Sequence, residues 1–177
     1  MQNIKQWSIA CKIMPIVHFR VDQRMIHGQV AVAWSKAVNP NHIILANDSV
    51  AENSLQQSLM KVAVPKNIRL SMVSVEKTIG YLRRGLQANE NVFLLTSNIR
   101  DARTIFESVL LTKYRYLNVG NMTMKDQSIK LTEKIFATPS EIEDVKWFIN
   151  NHIDIYFQML PTDQKVAFAE ILKENEL

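Results

Sequence analysis

Residues 13–38 read IMPIVHFRVDQRMIHGQVAVAWSKAV, and two periods meet inside them. Residues 13–21 form an apolar, β-branched run that predicts a strand. Residues 28–38 have helical spacing, with Trp34 four positions after Val30 on a core-facing side. Between them, residues 20–29 are polar and charged. Strand, polar junction and helix in that order make the repeating unit of an α/β fold.

The unit recurs along the chain. Further strands are predicted at 42–46, 68–73, 91–96, 115–119 and 153–159, and helices near 28–38, 49–63, 75–88, 99–111, 140–150 and 162–174. Thr138-Pro139-Ser140-Glu141 combines an N-cap threonine, a proline at the first helical position and a glutamate at the capping-box position. Ser49 and Glu52 share that spacing, which would turn Leu55, Leu59 and Met60 inward on one helix. Segment 128–136 alternates less cleanly and reads as an antiparallel or edge strand. The expected fold class is α/β: a three-layer sandwich with a mainly parallel central sheet and helices on both faces.

Composition narrows the class of protein. The chain has 177 residues, 47% hydrophobic and 21% charged, which suits one domain over residues 15–177. Residues 1–14 read as a short N-terminal extension without a secretory cleavage pattern. A single cysteine, Cys11, excludes an internal disulfide framework and clustered-cysteine zinc sites. Four glycines leave no Gly-rich phosphate loop, and no apolar run approaches the roughly 18 residues of a membrane span. The net charge of +4 comes without a basic run or interleaved aromatics, so nucleic acid is not expected as a partner. A cytoplasmic protein is expected.

Sheets of this kind bind ligands at the carboxyl ends of their strands. Three polar junctions fall there: 20–29, 47–49 and 118–122. The first is the densest, holding Arg20, Asp22, Arg24, His27, Gly28 and Gln29. A helix beginning near His27 would aim free N–H groups at a bound phosphate and disfavour the imidazolium, leaving a nucleophilic ring nitrogen. The arginine fork suits phosphoryl oxygens, and Gly28 leaves room at the backbone. A blander reading stands beside this one: Arg20 and Asp22 as a strand-face ion pair next to a structural histidine. Spacing does not choose between the two. His18 shares the strand face of Arg20 and Asp22 but lacks the company a metal site needs. His42 and His152 read as surface groups, Trp34 as core, Trp147 and Phe148 as covering the sheet or meeting a partner, and Asp48 as a helix-start acceptor. Lys77, Arg83 and Arg84 form a basic helix face.

The stretch from Arg20 to Val30, RVDQRMIHGQV, closely resembles the active-site segment of the IIB components of the mannose-type bacterial sugar phosphotransferase system (PTS). The usual family form is R-I-D-D/E-R-L/I-I-H-G-Q-V followed by a tryptophan, here Trp34. The resemblance continues through Asn47–Ala51, Gln56–Met60, Asn118–Met122 and Phe157–Pro161, covering about residues 16 to 172. It implies that His27 accepts a phosphoryl group on its δ nitrogen from phosphorylated IIA. The group then passes to a sugar carried by the membrane IIC and IID subunits, with the protein at the inner face of the cell membrane. Arg24 would neutralise the transferring group, Asp22 would orient Arg24 or the imidazole, and Arg20, Gly28 and Gln29 would line the phosphate site. No cofactor and no metal is implied, because the donor is itself a phosphohistidine.

Departures from the family form are Gln23 for an acidic residue, Asn47 for a common aspartate, and Asn121 where the mannose branch has a second glycine. The Asn-Val-Gly-Asn-Met and Ala46-Asn47-Asp48 forms are most similar to the N-acetylgalactosamine and galactosamine branch. Alternatives are a mannose, fructose or sorbose IIB, or a phosphorylation-sensing regulatory module. Whether the chain forms a homo-oligomer is left open by the sequence.

Overall fold

The computed structural model describes residues 16–87 and 89–177. The proposed extension, the start of the first predicted strand and Ala88 lie outside the described residues. Nine strands are found among the described residues: β1 (Ile16–Asp22), β2 (His42–Ala46), β3 (Arg69–Val73), β4 (Val92–Thr96), β5 (Tyr116–Asn121), β6 (Ile129–Lys130), β7 (Phe136–Ala137), β8 (Asp154–Phe157) and β9 (Val166–Ala167). Seven form one sheet in the order β3-β2-β4-β1-β5-β8-β9. Every pairing in it is parallel except β8 with β9, which is antiparallel. Strands β6 and β7 make a separate antiparallel ribbon.

Alternate residues of β2 and β4 feed two different cores, following the two-residue period of a strand. Ile43, Leu45, Phe93 and Leu95 pack with Val30, Trp34 and Met60 from the helices Gln29–Trp34 and Ser54–Ala63. Phe19, Val21, Ile44 and Leu94 pack on the other face with Leu82, Ile105, Phe106 and Phe148, from the helices behind it. Phe106 stacks on Phe19 at 5.4 Å and meets Phe148 edge-on at 5.2 Å. Both faces are therefore covered, giving the three-layer α/β sandwich expected from the alternation.

Thr138 caps the helix Pro139–Asn150 with the full capping box, each partner satisfying the other's backbone N–H. Three local expectations are corrected. Ser49 is not a cap: Asn47 accepts from Val50 N at 2.9 Å and starts a short helix, Asp48–Glu52. Asn53 then breaks the chain at φ −109, ψ 94 and caps the next helix, Ser54–Ala63. This break resets the helical phase, so Met60 is buried while Leu55 and Leu59 face solvent. Finally, the predicted helix over 162–174 begins only at Phe168, because Val166 and Ala167 pair with β8 as an edge strand.

Candidate functional site

The chain leaves β1 toward one face of the sheet and leaves the adjacent β5 toward the other. The carboxyl ends of β1 and β5 therefore flank the crevice where such sheets bind ligands. Here the alternation of β1 does something a sheet normally avoids. His18, Arg20 and Asp22 all point to the face of the Gln29–Trp34 helix, and all are buried.

Burying a charge is costly unless it is paired and its donors are satisfied. Arg20 meets that demand in full. Its Nε and Nη2 donate to Asp22 Oδ2 at 3.3 and 2.8 Å. Nη1 donates to the Asn118 side chain and to the Gln158 carbonyl, and Nη2 to the Met159 carbonyl. The guanidinium also lies 4.9 Å from the centre of the Trp34 ring, whose Nε1 donates to Met159 O at 2.9 Å. Gly120 closes this cage, since a Cβ there would overlap the guanidinium. His18 stacks on Trp34 at 4.4 Å, and burial first, then the Arg20 charge, lowers its pKa to about 3.

Asp22 connects this buried frame to the surface. Its Oδ1 accepts from the Arg24 backbone N–H at 3.1 Å and from Arg24 Nε at 3.3 Å. His27 Nε2 lies 3.5 Å from Oδ2. Burial alone would raise the Asp22 carboxyl, but hydrogen bonding to His27 and the charge and hydrogen bonds of Arg20 and Arg24 hold it well below the ordinary carboxylate range. The carboxylate is thus a fixed negative charge behind the imidazole.

The loop between them is tight. Met25 adopts φ 56, in the left-handed region, and its N–H bonds to Asp22 O at 2.8 Å. That turn folds the chain back so that His27 sits over Asp22. The His27 carbonyl accepts from Ala31 N at 2.8 Å, so the histidine stands at the start of the helix. Its side chain is 23% exposed and that of Arg24 is 37% exposed, against 0% for Asp22. Space above Gly28 is open. Gln29 opens the helix Gln29–Trp34.

The sequence-named cluster therefore divides. Asp22, Arg24, His27 and Gly28 come together at the surface, whereas Arg20 is enclosed with its donors engaged inside the protein. Sequence reading placed Trp34 in the core and Asn118, Gly120, Gln158 and Met159 in stretches of family resemblance, but did not assign them the holding of Arg20. The signal available was that resemblance together with position, at the ends of β5 and β8 and on the first helix. The departures also acquire geometry. Gln23 Oε1 accepts from both the N–H and the hydroxyl of Thr123, at 2.8 and 2.6 Å, tying the β1 loop to the β5 loop. Asn47 caps its helix while its Nδ2 donates to Ser97 Oγ at 2.7 Å. Asp48 does accept at a helix start, but at the helix Val75–Arg84, from Val75 N at 2.9 Å.

His42, expected at the surface, is buried. Its Nε2 is 2.8 Å from Ser71 Oγ and its Nδ1 is 3.3 Å from Glu90 Oε1, with Arg69 bridging both. Burial first, then the Arg69 charge, lowers its pKa to about 4. These groups line a cavity of about 290 Å³ at the amino ends of β2 and β3, far from His27. His152 is exposed, as expected. Among the described residues no group of three or more His, Cys, Asp and Glu could hold a metal ion, and no helix is long and apolar enough to cross a membrane.

A parallel α/β sheet that presents one part-exposed histidine over a buried carboxylate, with an arginine beside it, has the parts of a phosphoryl-handling site. The chain belongs to the sorbose subfamily of PTS IIB components, whose family model matches residues 16–177. A probable phosphotransferase enzyme IIB component of Streptococcus pyogenes serotype M6 is 31% identical over 161 residues, 89% of this chain and 99% of that protein. The IIB domain of the sorbose permease of Klebsiella pneumoniae superposes with a TM-score of 0.81 at 26% identity, covering 90% of this chain and 96% of that one. A PTS-dependent N-acetylgalactosamine IIB component from Streptococcus pyogenes superposes at 0.80 with 27% identity, covering 88% and 96%.

Proposed function

We propose that His27 carries the phosphoryl group. Nδ1 attacks the phosphorus of a phosphohistidine on the IIA protein; the P–N bond to IIA breaks as the new one forms. A sugar hydroxyl, held by the membrane IIC and IID subunits, later attacks the same phosphorus, releases His27 and loses its proton. The observation that carries this reading is the 3.5 Å approach of His27 Nε2 to Asp22, with Nδ1 as the ring nitrogen left for phosphorus. A proton kept on Nε2 by the carboxylate supplies that tautomer. Arg24 offers charge to the equatorial oxygens as they spread outward. The open backbone at Gly28 and the first N–H groups of the helix receive the phosphate. Arg20 acts through Asp22, holding it rather than touching phosphate. No cofactor or metal enters this scheme, and the protein works in the cytoplasm against its membrane subunits.

The sugar proposed is N-acetylgalactosamine or galactosamine, supported by the Asn118–Met122 and Ala46–Asp48 forms. The sorbose and N-acetylgalactosamine relatives are similarly identical to this chain, at 26% and 27%, so overall identity does not select between them. The test is phosphoryl transfer from phosphoenolpyruvate through the general PTS proteins and a cognate IIA, read by intact mass. One acid-labile phosphoryl group, absent in His27→Ala, is the expected result. A fully phosphorylated His27→Ala protein would refute the assignment. Unchanged N-acetylgalactosamine uptake in a deletion strain would reject the sugar alone.

A further inference from the structure

Gln23 takes no part in the chemistry above, yet the structure ties it down on the loop that carries that chemistry. Asp22–Met25 is a turn closed by the Met25 N–H on Asp22 O at 2.8 Å, so Gln23 and Arg24 are its central residues. At Arg24 the turn is held by the buried Asp22, whose Oδ1 accepts from the Arg24 N–H at 3.1 Å. At Gln23 the β1–β5 ladder is ending, and the Gln23 N–H reaches Asn121 O only at 3.5 Å. The side chain takes over there. Gln23 Oε1 accepts from both the N–H and the hydroxyl of Thr123, at 2.8 and 2.6 Å. The Thr123 N–H demands an acceptor, so the pair needs an oxygen at this place and not an amino group.

The far side of this tie is anchored in the core. Met122, next to Thr123, is buried, its carbonyl accepts from Phe136 N at 2.9 Å, and it bridges to the fully buried Ile135. Thr123 therefore stands on the packed body of the protein, while Gln23 stands on an exposed turn. A neutral hydrogen bond between groups that water can reach adds little stability, because it replaces bonds to water. What it fixes is geometry. With Gln23 tied to Thr123 and Arg24 to Asp22, the turn cannot swing about the end of β1. Arg24 Nε and His27 Nε2 then stay over the two oxygens of Asp22, at 3.3 and 3.5 Å. We infer that the Gln23–Thr123 pair is a positioning device for phosphoryl transfer, acting through the turn to hold Arg24 against the group on His27. The inference rests on the assignment of that group to His27.

Rapid-mixing kinetics of the full chain test this at two steps: loading from phosphorylated IIA, and discharge to membranes holding cognate IIC and IID with N-acetylgalactosamine, mannose, fructose or sorbose. Gln23→Ala should slow the saturating rate of at least one step by about tenfold, since transfer is steeply sensitive to misplacement of the groups around it. Its KM for IIA and its urea midpoint should stay close to the parent's. Gln23→Glu keeps the acceptor oxygen and should recover the parent's rate. Thr123→Val keeps the N–H and loses the hydroxyl, so it should slow transfer less; added to Gln23→Ala it should cost nothing further. Parent rates at both steps in Gln23→Ala overturn the inference, as does Gln23→Glu as slow as Gln23→Ala, or independent effects of the two substitutions. A rise in KM for IIA at unchanged saturating rate would assign Gln23 to partner docking and likewise overturn it. His27→Ala run in parallel keeps the two assignments apart. A phosphorylated His27→Ala protein rejects the His27 reading, whereas its absence beside a parent-like Gln23→Ala rejects the positioning role alone.

Discussion

The two ends of the sheet use the same three side-chain types in opposite ways. At the carboxyl end of β1, Asp22 and Arg20 are fully buried and His27 is 23% exposed. At the amino end of β2, His42 is only 7% exposed and Arg69 is 55% exposed. The first arrangement fixes a charge inside and offers an imidazole outside. The second hides the imidazole, with its nitrogens occupied by Ser71, Arg69 and Glu90. A histidine next to a carboxylate and an arginine is therefore not in itself a reactive site. Which member the backbone leaves at the surface decides, and at β1 the left-handed Met25 turn makes that choice.

The contrast breaks most sharply in transfer assays. His27→Ala should abolish phosphorylation while His42→Gln keeps it; loss in both would mean that the second cluster also serves the chemistry. Acid comes next. His18 and His42 are neutral when folded, with pKa values of about 3 and 4, and protonate below about 6.5 when unfolded. Below that value the unfolded chain binds more protons, so stability should fall from pH 6.5 toward 4, by about 1.4 kcal/mol per pH unit for each histidine. Asp22, depressed in the fold, adds a further loss below the ordinary carboxylate range. Urea unfolding at pH 7 and pH 5 measures the slope, and a flat profile would show that neither histidine is held neutral.

Gly120→Ala drives a methyl into the Arg20 guanidinium and parts it from Asp22. Destabilisation on the order of 3–5 kcal/mol is expected, from the cost of an unpaired buried charge. A parent-like denaturant midpoint would mean that the cage can shift. Arg24→Lys keeps charge at the part-exposed side but loses the planar fork, so transfer to sugar should slow by roughly 10–100-fold. Rates equal to the parent's would make the fork dispensable. Gln23→Glu should move stability by less than about 0.5 kcal/mol, because the acceptor for Thr123 survives. A larger change would show that the amide's missing charge matters to Asp22 and Arg24.

Much of the fold was legible because each strand and helix advertises its period locally. The strand at 42–46 and the capped helix at 139–150 stand where their residues place them. The misplaced elements share one cause. Ser49 and Asn47 both suit an N-cap, and only the contact of Asn47 with Ser97 on the β4 loop selects between them. The 162–174 segment has helical composition throughout, yet an edge of β8 was available to pair Val166 and Ala167. Competition with a distant partner is invisible to a local pattern.

For the site, the sequence by itself determined which residues meet at the end of β1, because Asp22, Arg24 and His27 are close along the chain and a single turn suffices to join them. It also determined the family, through the run from Arg20 to Val30. Only the tertiary structure decided that Arg20 is enclosed and Arg24 is not, since the Asn118, Gly120, Gln158 and Met159 groups around Arg20 come from β5 and the end of β8, about a hundred residues or more away. It decided equally that His42 is buried and Leu59 exposed. Burial is a property of what packs against a side chain, and that is settled by the whole sheet rather than by the neighbours in sequence.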